Sequence, residues 1–102
     1  MSQLFAVFRE WGEAWDISVP ASGQAHWDAH RACLAALADR GVLEAGGPFE
    51  GTREVMLLVR AASEEEAERE VAADPWTRHG LLRTTRIMRW RVAAGAAAGL
   101  RS

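Results

Sequence analysis

His30 and Asp74 are the two side chains of this 102-residue chain whose types and settings suit acid–base chemistry. His30 stands in a run where Trp27, His30, Leu34 and Leu37 recur at spacings of three, four and three, which puts them on one side of a helix. An imidazole inside an apolar stripe is either a satisfied core residue or a titratable group kept out of water. Asp74 precedes Pro75, a setting in which aspartate commonly ends a helix. Set against an imidazole, the same carboxylate would fix the ring's tautomer and sharpen it as a general base. Only the fold can bring the two together.

Other chemistries find less support. His26 lies one turn before His30, so a metal pair is conceivable, but no third ligand and no HExxH pattern accompany it, and no metal is expected. Gly46-Gly47-Pro48 reads as a turn and not as a phosphate-binding loop, and there is no nucleophilic Ser or Cys pattern or nucleotide fingerprint. No cofactor is expected. Trp11 and Trp15 fall in a segment read as a loop, where two large aromatics are costly to leave in water. Trp15, Trp27 and Trp76 either line an apolar substrate pocket or fill the core.

The composition narrows the partners. A formal charge of −2 advertises neither nucleic acid nor an anionic membrane. All twelve cations are arginine, and after Asp74 there are arginines but no acids; these read as solvated strand faces or as partners of the acidic helix before them. The lone Cys33 excludes an intrachain disulfide and reads as a small core residue. No stretch approaches the roughly 20 apolar residues of a membrane span, and the N-terminus lacks a signal-peptide pattern, so a cytoplasmic location is expected.

The elements that must position these residues follow in order. Leu4–Arg9 is a strand apolar on both faces, and 10–21 is a loop. Ser22 can cap a helix over about 23–40, which Gly41 ends in the left-handed conformation. Val42–Glu44 starts a second strand that stops at Gly46-Gly47-Pro48, 49–52 is a turn, and Glu54–Arg60 is a third strand. Ser63-Glu64-Glu65-Glu66 matches the capping box of a second helix, ended by Asp74-Pro75, with one further turn over 76–80. Leu82–Val92 is the last strand, and 93–102 is expected to fray. The order β-α-β-β-α-β predicts an α+β, ferredoxin-like single domain over residues 1–92, a four-stranded antiparallel sheet with two helices on one face. The strands' second apolar face predicts a homodimer.

Together these residues resemble the YCII-related family of small dimeric α+β barrel proteins. The resemblance is carried by Trp15-Asp16, Gln24-x-x-Trp27-x-x-His30, Gly46-Gly47-Pro48, Asp74-Pro75-Trp76-Thr77 with Gly80-Leu81, and Trp90. It implies that His30 and Asp74 form the family's dyad in a cleft, and that the chemistry is cofactor-free, such as chloride elimination from an aromatic ring. Two positions depart from the pattern: Trp27 stands where some members have arginine, and Arg89 where some have proline. The reading is a cofactor-independent lyase, dehydrohalogenase or isomerase acting on a small aromatic or cyclic substrate. A non-catalytic ligand-binding or regulatory protein and a cofactor-free monooxygenase on the same scaffold are the alternatives.

Overall fold

Alternation of apolar residues builds the sheet, and its helix-facing side builds the core. The computed structural model describes residues 2–95. Strand β1 (Gln3–Trp11) pairs antiparallel with β3 (Glu54–Ala61) on one side and β4 (Leu82–Arg89) on the other, and β2 (Leu43–Pro48) pairs with β3. The order is β2-β3-β1-β4, a four-stranded antiparallel sheet of ferredoxin-like α+β topology. Helices α1 (Trp27–Asp39) and α2 (Glu64–Ala72) pack on one face. There Phe5, Val7, Leu57 and Val59 meet Ala67 and Val71 of α2 and Leu34 of α1. A short helix α3 (Pro75–Arg78) follows α2.

Helix α2 starts as its sequence requires. Ser63 Oγ accepts from Glu66 N at 3.1 Å, and three glutamates occupy the first turn beside the positive end of the helix dipole. The reciprocal bond of the capping box is displaced by one residue, Glu66 Oε2 accepting from Ala62 N. Gly41, at φ 75°, leaves α1 in the left-handed conformation that suits glycine.

Four boundaries differ from the sequence reading. Strand β1 runs on to Trp11, which therefore sits on the sheet and not in a loop. Helix α1 starts at Trp27; Ser22 lies in a separate 3₁₀ turn, Ala21–Gly23, and caps nothing, while His26 takes the capping position at φ 63° without a side-chain bond. Strand β2 passes through Gly46-Gly47-Pro48, because it is the sheet edge, where a proline costs no ladder bond. Gly46 is needed there: a Cβ would lie 2.4 Å from Leu57 Cδ2. Strand β4 ends at Arg89.

The second face is partly covered. Val92 packs with Leu4, Leu58 and Met56, while Met88 and Trp90 remain about half exposed. Two arginines of β4 find partners on β1 and not on the acidic helix: Arg83 pairs with Glu10, and Arg86 lies 4.3 Å over the Phe8 ring. Cys33 is half-buried rather than core, and burial raises its thiol pKa. No helix among the described residues is long and apolar enough to cross a membrane. Residues 96–102, most of the segment expected to fray, lie outside the described residues.

Candidate active site

Asp74 ends α2 and starts α3. Its Oδ1 accepts from Trp76 N at 3.1 Å, as an N-cap should, and Pro75 needs no donor partner at the first helical position. That local geometry turns the carboxylate inward, where it is 1% exposed. His30 reaches it from the first turn of α1. Nδ1 lies 2.9 Å from both carboxylate oxygens. A carboxylate only accepts, so Nδ1 carries a proton, and Nε2 is the ring nitrogen that Asp74 does not engage.

A third residue completes the cluster, and the sequence reading passed over it. Arg9 Nη2 donates to Asp74 Oδ2 at 2.8 Å and to Thr77 Oγ1 at 2.6 Å, and Thr77 in turn donates to Val71 O. The signal lay in the strand alternation. Phe5, Val7, Arg9 and Trp11 share the helix-facing side of β1, so an arginine stands in an otherwise apolar row. Ending the strand at Arg9 hides that pattern. A guanidinium shut inside a protein costs several kcal/mol unless its charge is paired, and Asp74 supplies the pair.

Burial alone would push the Asp74 carboxyl pKa up. The hydrogen bonds from His30 and Arg9, with the Arg9 charge, outweigh it, and the group ends below the usual carboxylate value. Asp74 is therefore an anion serving three donors, His30, Arg9 and the Trp76 backbone N–H. Arg9 is not fully served in return: Nε and Nη1 are buried and have no hydrogen-bond partner. Buried unpaired donors of this kind cost about 1–3 kcal/mol each, and more when charged.

The cluster lies at a cavity of about 560 Å³, within the range of small-molecule sites. Arg9 and His30 belong to its wall, together with Trp11, Trp15, Trp27 and Trp76 and with Leu43, Val55 and Leu57 of the sheet. The Trp76 indole stacks on the His30 ring, centroids 3.7 Å apart and 8° from parallel. Trp15 meets Trp76 edge-on and stacks on Trp11 at 4.9 Å. Gly46-Gly47-Pro48 of β2 also borders the cavity.

Second contacts hold this wall. Gln24 is buried; its Oε1 accepts from Asp16 N, and its Nε2 donates to Asp16 O at 2.6 Å and to Val19 O. The loop that carries Trp15 is thereby tied to the approach of α1. At the other end of that loop, Gly12 N donates to Leu81 O at 2.8 Å, and a Cβ on Gly12 would lie 2.2 Å from Gly80 O. Trp76 Nε1 donates to Ala25 O at 2.7 Å, joining α3 to the start of α1.

The structure thus brings His30, Asp74, Trp15, Trp27 and Trp76 to one place. It does not bring His26 there: that ring stacks on His79 at 4.0 Å, on the surface. Among the described residues no group of three or more His, Cys, Asp or Glu side chains could hold a metal ion. What remains is an imidazole whose Nδ1 is held by an anion, in an aromatic cavity. That arrangement can take up and return a proton.

Residues 10–91 match the model of the YCII-related domain. No curated protein matches the chain. Among solved structures, one that is similar is the 5-chloro-2-hydroxyhydroquinone dehydrochlorinase TftG from Burkholderia phenoliruptrix AC1100, in complex with 2,5-dihydroxybenzoquinone. It is 28% identical, with a TM-score of 0.61 over 88% of this chain and 95% of that one. Protein YJCS, 12% identical, matches with a TM-score of 0.56 over 91% of this chain and 100% of that one, a likeness of fold.

Proposed function

The chain belongs to the YCII-related family, and on that premise we propose that it is a cofactor-independent lyase of the dehydrohalogenase type, or an isomerase, acting on a small aromatic or cyclic substrate. His30 Nε2 takes a proton from the substrate. Asp74 holds Nδ1, keeps the ring in the reactive tautomer and balances the charge that forms on it. Trp15, Trp27 and Trp76 shape the pocket and flatten a planar ring against the wall. Water-poor walls strengthen the pull between imidazolium and carboxylate, which stabilises the charge that forms as the proton moves.

The observation that carries this reading is the 2.9 Å contact of His30 Nδ1 with Asp74 at an aromatic-walled cavity. The dehydrochlorination performed by TftG supplies the reaction class. The test is chloride release from chlorinated hydroxyhydroquinones, followed with purified protein. His30→Ala is expected to lower the rate by roughly 10²–10⁴, the usual share of a general base. Turnover equal to wild type in that variant would reject the role.

We also propose that the protein works as a homodimer joined through the second sheet face. Met88 and Trp90 are half exposed beside Leu4 and Leu58, an apolar surface suited to a second copy. Sedimentation of wild type as a stable monomer would exclude that assembly.

A further inference from the structure

Base catalysis by His30 leaves two donors of the cavity cluster unused. Arg9 Nε and Nη1 are the only buried side-chain nitrogen or oxygen atoms without a partner among the described residues. Every other buried polar side chain there is satisfied: Gln24, His30 and Asp74 all have bonds. A folded chain that satisfies its buried groups everywhere except at one charged side chain of a cavity concentrates its cost where a ligand can repay it.

We infer that Arg9 is the anion-recognition group of this cavity, and that the ligand is a planar ring bearing an ionised oxygen (a phenolate, an enolate or a hydroxyquinone oxygen) which pairs with Nε or Nη1. The inference deepens the proposed function and rests on reading the cavity as the substrate site. Charge supports it. Arg9 and Asp74 cancel while His30 is neutral; once His30 takes a proton the cluster is net positive. Arg9 and His30 are also the ionisable side chains of the wall, the rest being apolar or small, so an anion there meets no competing carboxylate at the surface. The Trp76 and Trp15 rings favour a flat partner.

The assignment gives the reaction a place for its electrons. The substrate C–H or O–H bond breaks, the proton goes to His30 Nε2, and the pair left behind spreads onto the substrate oxygen facing Arg9. In an elimination the pair then returns to the ring as the carbon–halogen bond breaks and the halide leaves with its electrons. Charge on oxygen is largest between these two events, when a fixed guanidinium in a dry site stabilises it most. Both nitrogens lie behind the cavity surface, so the oxygen reaches them through a rotation of wall side chains.

4-Nitrophenol tests this without turnover, because its phenol and phenolate forms absorb at different wavelengths. It is mixed with the protein at a pH where the free probe is mostly protonated. Wild type is expected to bind it and to raise the phenolate band. Arg9→Met is expected to bind at least about tenfold more weakly, 1.4 kcal/mol, and to lose the band. Arg9→Lys keeps a cation for Asp74 and so guards against a variant that fails to fold; it too is expected to lose about tenfold, since a point charge cannot present the guanidinium's donors. Binding as the neutral phenol, no binding by wild type, or wild-type affinity in a folded Arg9→Lys protein would each overturn the inference. A band without chloride release in any assay removes the proposed reaction and leaves the anion site standing; chloride release without a band does the reverse.

Discussion

Helices α1 and α2 pack on the same sheet face but start in opposite ways. At α2, Ser63 is extended at φ −153°, accepts from Glu66 N, and precedes three glutamates; every local rule agrees. At α1, His26 is left-handed at φ 63°, no side chain caps the helix, and Asp28 is the lone acid of the first turn. An L-residue in that conformation gives up about 1–2 kcal/mol. The start of α1 is held from outside itself: by Trp76 Nε1 on Ala25 O, by the His26–His79 stack and by the His30–Asp74 bond. The helix that folds by its own sequence supports the sheet, and the helix held by its neighbours carries the base. Local rules are set aside where a site has to be positioned.

The sharpest way to break this contrast is to remove what holds α1. Asp74→Ala takes away the partner of a buried arginine and of His30 together. It is expected to cost about 3–5 kcal/mol in urea unfolding, because an uncompensated buried charge remains. A loss below about 1 kcal/mol would mean that Arg9 is paired by something else. The same carboxylate sets an acid limit. Its folded pKa lies below the unfolded value of about 3.9. Its stabilisation is therefore complete above that value and fades as pH falls through the lower, folded pKa. Asp74→Ala should flatten the stability profile in that window below about pH 4.

How far the sequence could be read follows the same division. The strands, the capping box at Ser63, the stop at Asp74-Pro75 and the helical stripe through Trp27, His30 and Leu37 are local patterns, and they are legible. So is the topology, since β-α-β-β-α-β admits few arrangements. The start of α1 is not, because Ser22 offers a better cap by type than His26 and the reason for choosing His26 lies in residues 76 and 79. Strand β2 hides behind Gly46-Gly47-Pro48, which reads as punctuation unless the strand is known to be an edge. Arg9 needs the register of β1 against β3, where Arg9 opposes Val55, before its inward direction is evident. The partnership of His30 with Asp74 spans 44 residues, and only the folded chain supplies it.

A smaller effect is expected at the helix that needs no help. Ser63→Ala removes the acceptor for Glu66 N and should cost about 1 kcal/mol, within the 0.5–2 kcal/mol spread of such caps. Because α2 lies away from the cavity, chloride release per folded molecule should stay at the wild-type rate. A fall in that rate would show that the two helix starts are coupled, contrary to the division drawn here.

The smallest change is the one that separates the two helix starts by sign. Ser63→Gly should destabilise by a few tenths of a kcal/mol, since glycine is a tolerable but inferior cap. His26→Gly should be neutral or stabilise by up to about 1 kcal/mol, because glycine enters the left-handed region without the Cβ clash. Against that gain stands the lost stack with His79, which is exposed to solvent and contributes correspondingly little. Paired thermal melts of the two glycine variants read the difference directly. If His26→Gly lost more than about 0.5 kcal/mol, outweighing the relief expected at φ > 0, the His79 contact would be what forces His26 into its conformation. The start of α1 would then be built by α3 rather than tolerated for the sake of the site.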